Sequence, residues 1–304
     1  MYVRYILIMV LSVLAGCSPF APSSAVSRYA IVYGISGYSA PLPALSYAAS
    51  DADAMAHILS SNGYSVTMRT DSAATTAQLS LDIAAVENVA DRNDLVLFYF
   101  SGHGVDKETF SHCASNIGHT GVIADAGIVL YGDAADLSSN VCENTVDGNE
   151  LSRLFSGVSS LKKVAILDSC YSGGFVLNAT SIDATPRDHT NTVDIDIGRI
   201  FSLAAARYVS PDNAGSSPFL TISAAGDEAA WDGFRGHGVF TYFFMTSLSQ
   251  GDLNGDGCIT TLEAYAFTSA AIDMYWNVTN DGDWCFLPRI SAVPVDYVLA
   301  RPHP

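Results

Sequence analysis

The sequence predicts an α/β fold, a mostly parallel central sheet flanked by helices in three layers. Two observations carry this reading. Short apolar runs bounded by turn residues alternate with segments of helical period, and the connections between them are mostly short. The run 29–35 is continuously apolar and ends in a Gly/Ser turn, the profile of a strand buried on both faces. Residues 45–59 carry apolar side chains at helical spacing and stop at Asn62-Gly63. Residues 64–69 alternate as a strand, 75–90 as a second helix, and 94–100 form the clearest apolar run in the chain. Residues 146–154 are predicted helical, 163–168 a buried strand, 219–224 another strand and 238–248 another helix. In sheets of this kind the active groups lie beyond the carboxyl ends of the strands. Segments 105–145 and 177–217 lack periodicity and follow such ends, which makes them candidate substrate-facing loops.

The 304 residues allow one large domain or two modest ones. Apolar residues make up 49% and charged residues 15%, which excludes a disordered chain. With 31 acidic side chains against 14 Lys and Arg, the formal net charge is −17. Only three lysines occur (Lys107, Lys162, Lys163), so no basic stripe exists to neutralise phosphates and no nucleic-acid partner is expected. Arg4 precedes an apolar run over 5–15, shorter than the ~20 residues of a spanning helix and inside the ~7–15 of a signal core. It ends in Leu14-Ala15-Gly16-Cys17, which resembles the lipobox of bacterial lipoproteins, whose cysteine is acylated and becomes the new N-terminus. The expected organisation is a signal and lipid anchor over 1–17, a tether over 18–28 and one domain over 29–304. The mature protein is then exported and held to the bacterial cell envelope, at the outer membrane facing the periplasm or the surface. The lipid is its only membrane contact.

Of the six cysteines, setting aside Cys17 leaves Cys113, Cys142, Cys170, Cys258 and Cys285. One thiol is then odd in an oxidising compartment, and the other four could form two bridges in three connectivities. Cys113–Cys142 and Cys258–Cys285 are the local pairings.

Two predicted strand ends carry reactive residues: Ser101-Gly102-His103-Gly104 follows one, and Asp168-Ser169-Cys170 closes another. Placed at one sheet edge, they suit attack of a thiolate on a carbonyl while an imidazole moves the proton. The glycines beside His103 would let a bound peptide pass close to the backbone. The N–H groups of Gly104 and Cys170 could form an oxyanion hole.

Five blocks, YAIVYGISGY (29–38), LSYAASDADAM (45–55), SGHG (101–104), DSCYSG (168–173) and GHGVFTY (236–242), occur in the order and spacing of one family. Over 29–270 the chain resembles the caspase and metacaspase superfamily, in its bacterial caspase-like branch. Tyr171 stands where metacaspases often have His, and the animal Q-A-C-[RQG]-G signature is absent. The resemblance implies the three-layer caspase-like fold and a cysteine endopeptidase with a His103–Cys170 dyad and no catalytic cofactor. It also implies an acidic pocket of Asp51 and Asp168, hence cleavage of peptides or proteins after Arg or Lys. A catalytically idle scaffold domain, or a transpeptidase or ligase using the same thiol, are the alternatives. Family members often cut themselves in the loop after the nucleophile strand, where Arg187, Arg199 and Arg207 stand; Arg187 lies in the most polar stretch.

A second site is expected further on. Residues 252–263 satisfy D-x-[DN]-x-[DN]-G-x₅-E without a gap. Asp252, Asn254 and Asp256 would supply side-chain oxygens, Cys258 its carbonyl and Glu263 both carboxylate oxygens to one structural Ca²⁺. His57 and His237 read as surface or helix-capping residues. The protein is expected to be a monomer.

Overall fold

The computed structural model describes residues 26–40, 42–106, 126–133, 137–170, 172, 197–200, 219–225, 229–280, 284–291 and 295–302. Cys17, Cys113, Arg187 and Arg207 lie outside them. Strands β1 (Arg28–Gly34), β2 (Ser65–Thr70), β3 (Leu95–Ser101), β7 (Lys162–Asp168) and β8 (Phe219–Ser223) are parallel. With β12 (Arg289–Ile290) antiparallel against β8, they form a six-stranded sheet in the order β12-β8-β7-β3-β1-β2. Every residue of β3 is buried, as its unbroken apolar run requires.

Two apolar layers sandwich the sheet. On one face Ala30, Val32, Leu97, Tyr99, Val164 and Ile166 pack with α1 (Ala48–Ser61), α5 (Val239–Gln250) and α6 (Thr261–Ile272). On the other, Ile31, Tyr33, Phe98, Phe100, Ala165 and Leu167 pack with α2 (Thr76–Glu87) and α4 (Gly148–Leu154). Alternate residues of each strand serve opposite faces, so both must be apolar. The three-layer expectation is borne out.

Local differences have local causes. The first helix starts at Ala48 and not at 45, because the Leu45 N–H is spent on the Ser36 carbonyl (2.9 Å), which folds 36–47 into a loop. The tether gives up its last residues: the Ser27 N–H bonds the Asp94 carboxylate at 2.8 Å, and Arg28 opens β1. The predicted helix over 146–154 begins only after Asp147, whose carboxylate accepts from the Glu150 N–H at 2.7 Å as an N-cap. The residues before it, β6 (Thr145–Asp147), join a small antiparallel sheet β4-β5-β6 with β4 (Gly104–Asp106) and β5 (Ala126–Val129). Part of the segment expected to be irregular, 105–145, is therefore ordered, including α3 (Leu137–Asn144). Among the described residues no helix is long and apolar enough to cross a membrane.

Cys142 is disulfide-bonded, to a partner outside the described residues. The Cys258–Cys285 pairing does not form: both are free thiols, as is Cys170. Cys258 lies against Arg301 Nη1 at 3.0 Å, while Cys285 donates to the Asn280 carbonyl at 3.3 Å, so each sulfur already has a different local partner.

Candidate active site

Strand register builds the site. Ser101 at the end of β3 pairs with Asp168 at the end of β7, and the Gly102 N–H extends the ladder to the Asp168 carbonyl at 3.1 Å. His103 and Cys170 each follow by two residues, so both leave the sheet at one level. They line one cleft, partly open to solvent, together with Asp51, Asp168, Asp232, Trp231 and Gly238. Both side chains are nearly buried, His103 at 5% and Cys170 at 8% exposure. The Cys170 thiol points its hydrogen at the Ala230 carbonyl, 3.6 Å away.

The imidazole meets Pro43 and Tyr38, and Tyr38 also holds the His103 backbone. Its Nε2 lies 2.9 Å from the Pro43 carbonyl; a carbonyl only accepts, so Nε2 carries the proton and Nδ1 is left as the basic nitrogen. The Tyr38 ring packs on the imidazole at 4.7 Å between centroids. The Tyr38 hydroxyl accepts from the His103 backbone N–H at 2.9 Å and donates to the Val129 carbonyl at 2.7 Å. The loop that brings Tyr38 and Pro43 here is anchored by Asp71, whose Oδ1 accepts from the Ser36 and Gly37 N–H groups at 2.9 and 2.7 Å. Asp71 adopts φ +48° to do so. Sequence patterning pointed to none of these supports, because each acts through a loop or a carbonyl.

Close packing within the chain also requires the glycine after His103. A Cβ at Gly104 would overlap the carbonyl oxygen of Cys170, so the missing side chain admits the turn at Cys170. That contact brings the two expected oxyanion-hole residues, Gly104 and Cys170, side by side.

The same cleft holds a group of acids. Asp51 from α1 is fully buried; its Oδ1 meets His237 Nδ1 at 2.7 Å and its Oδ2 accepts from the Gly238 N–H at 3.0 Å. Asp168 Oδ2 accepts from the Thr241 hydroxyl at 2.6 Å and its N–H at 3.2 Å. A Cβ at Gly238 would stand 2.7 Å from Asp168 Oδ2 and 3.0 Å from Asp51 Oδ2, so only glycine lets both acids reach this point. A third acid was not anticipated: Asp232, opening β9 (Asp232–Phe234), accepts from the Ser46 and Tyr47 N–H groups at 2.9 and 3.2 Å. Burial, then the neighbouring Asp51 charge, pushes Asp168 up to about 8. Burial also lifts Asp232 to about 6, and raises Asp51 despite its bond to His237. Nor was His237 anticipated here: it opens β10 (His237–Gly238) and is tied to a pocket acid, whereas His57 is exposed as expected.

The loop 252–263 is ordered but serves itself. Asp252 caps the N–H groups of Gly255 (2.8 Å) and Gly257 (2.9 Å), and Asp256 caps that of Cys258 at 2.9 Å. Thr260 and Glu263 form a capping box at the start of α6, with Glu263 Oε1 also taking the Leu253 N–H at 3.0 Å. Asn254 Oδ1 accepts from the Asp256 N–H at 2.9 Å. Among the described residues no three His, Cys, Asp or Glu side chains gather closely enough to hold a metal ion.

With this geometry in place, the caspase domain family matches residues 27–266. The chain belongs to the caspase-domain family. Its structure resembles caspase-1 from Spodoptera frugiperda, with TM-score 0.54 and 11% identity over 91% of this chain and 92% of that one. A protein from Geobacter sulfurreducens known from its crystal structure gives TM-score 0.53 and 18% identity over 91% and 98%. Likenesses this distant speak to the caspase fold alone. No curated protein matches the chain.

Proposed function

We propose that this caspase-domain protein is a cysteine endopeptidase that cleaves after Arg or Lys. The observation that carries the reading is the shared cleft: the His103 imidazole and the Cys170 thiol stand in it with three largely buried carboxylates, whose desolvation one basic side chain would offset. In this reading Cys170 Sγ gives its proton to His103 Nδ1 and attacks the scissile carbonyl carbon. The Gly104 and Cys170 N–H groups steady the oxyanion, a contribution of about 3–4 kcal/mol per donor in other enzymes. His103 then protonates the leaving amine as the C–N bond breaks, and water activated by the same nitrogen releases the acyl group. Asp51, Asp168 and Asp232 receive the guanidinium or ammonium of the residue before the cut.

The test is a fluorogenic peptide panel with purified protein lacking residues 1–17, with mass analysis of the products. Hydrolysis after Arg or Lys, lost in Cys170→Ala, supports the reading. Joined rather than hydrolysed products would make it a transpeptidase, and no turnover an idle scaffold.

The same proposal includes export and acylation at Cys17, supported by the lipobox and in keeping with a disulfide at Cys142. Metabolic labelling with a fatty acid should mark the full chain and not Cys17→Ala; an unlabelled wild type would reject the anchor.

A further inference from the structure

The backbone of His237 pairs with Phe234 in the short β9–β10 ladder, a role that does not account for its side chain. Its ring is a quarter exposed, and its one polar partner is Asp51, fully buried at the bottom of the cleft. The N–H of the next residue, Gly238, holds the other oxygen of that carboxylate. Two donors from consecutive residues thus fix Asp51 in direction, with Oδ2 beside Asp168 Oδ2 at the Gly238 Cα and Ser101 Oγ at 3.4 Å. Among the described residues the other charged groups around it are Asp168 from the end of β7, Asp232 from β9 and Arg235 from the turn between β9 and β10; the Arg235 guanidinium lies over the Tyr242 ring at 5.8 Å.

We propose that His237 is a specificity-determining positioning residue, which aims the Asp51 carboxylate so that the cleft prefers a guanidinium over an ammonium. The inference rests on the reading of the cleft as a basic-side-chain pocket. A guanidinium presents its N–H donors in a rigid plane and gains most from acceptors fixed in direction. An ammonium is a compact charge with three rotating donors and tolerates a carboxylate that swings. Removing the imidazole frees Asp51 to turn about its last torsion, which costs the planar fork more than the point charge. His237 touches no reacting atom, so its effect belongs in binding and in KM, with kcat little changed.

The experiment uses the Cys170→Ala protein, so that binding is read without turnover, and NMR titration with butylguanidine and butylamine as probes. The His237→Ala substitution should weaken butylguanidine about tenfold and butylamine far less, collapsing the preference. His237→Asn, whose amide nitrogen can stand where Nδ1 stood, should restore the preference; His237→Gln, whose amide reaches past that point, should not. An unchanged guanidinium-to-ammonium ratio in His237→Ala overturns the inference, as does His237→Asn behaving like His237→Ala. If His237→Ala fails to fold by circular dichroism, the contrast between the Asn and Gln variants decides alone. A His237-dependent preference in a protein that cleaves no peptide would sink the peptidase reading and leave this inference standing. Cleavage after Arg with an unmoved ratio would do the reverse.

Discussion

Asp168 keeps its proton to about pH 8, against an ordinary 3.8, because it is buried and faces Asp51 across the Gly238 backbone. A basic ligand can bind only where a carboxylate has ionised, so binding releases a proton and tightens as pH rises from about 6 toward 8. The slope approaches tenfold per pH unit at its steepest, and butylguanidine titration of Cys170→Ala isolates it from the titration of the dyad. Asp168→Asn should flatten it; a pH-independent affinity in the parent would show that the acids are already ionised. Stability runs the other way. The folded pKa lies above the unfolded one, so the folded state holds a proton that the unfolded chain releases near 4. This contribution is full below pH 4 and is lost as pH climbs to about 8. Asp168→Asn should therefore lose less melting temperature between pH 5 and 8 than the wild type, and a parallel fall in both would remove Asp168 as the cause. At the dyad, Tyr38→Phe deletes a hydroxyl that bonds both the His103 N–H and the Val129 carbonyl. It should lower kcat more than it raises KM, because the imidazole loses its seat and the acid pocket does not; an unchanged kcat would free Tyr38 of that role.

At the scale of elements, the legible and illegible parts divide by whether residues act through pattern. The β1, β3 and β7 strands announce themselves as unbroken apolar runs, because both their faces are covered, and His103 and Cys170 are found by counting two residues past their ends. Asp51 and Asp168 were reached through the resemblance to metacaspases, not through periodicity. Asp232 and His237 were missed because they sit on strands of three and two residues, too short for any periodic signal, and meet α1 only through tertiary folding. The β4-β5-β6 sheet was missed for the same reason. The loop 252–263 has the converse history, a complete motif whose side chains fold back on their own N–H groups. We propose that calcium, when supplied, draws Asp252, Asn254, Asp256 and Glu263 from these caps onto the ion and stiffens the junction of α5 and α6. Chelator should then lower the melting temperature and Glu263→Gln should mimic it; identical curves with calcium and chelator would leave a self-satisfied turn. Thr260→Ala removes one arm of the capping box and should cost about 1 kcal/mol with or without the ion.

For the whole molecule, the proposed specificity for basic residues predicts that the chain cuts itself. The chain between β7 and β8 includes Cys170, the proposed nucleophile, and carries Arg187, Arg199 and Arg207. Arg199 lies in a helical turn over 197–200 beside the buried Ile200, and a peptide bond in a helix cannot enter an extended binding cleft without unwinding. Arg187 sits between Pro186 and Asp188 in the most polar stretch of the sequence, which carries no helical period. Both ends of this chain are pinned by neighbouring parallel strands in one sheet, so a cut at 187 would leave the two pieces joined by the β7–β8 ladder. Purified wild type on storage should therefore yield two fragments meeting at Arg187 that separate in denaturant and migrate together without it, while Cys170→Ala stays whole. Arg187→Ala should block that cut and leave peptide hydrolysis in place if cleavage is a consequence of activity, or abolish hydrolysis if cleavage is its trigger. A fully active wild type that remains a single chain by mass spectrometry would refute self-cleavage, and fragments from Cys170→Ala would assign the cut to another protease.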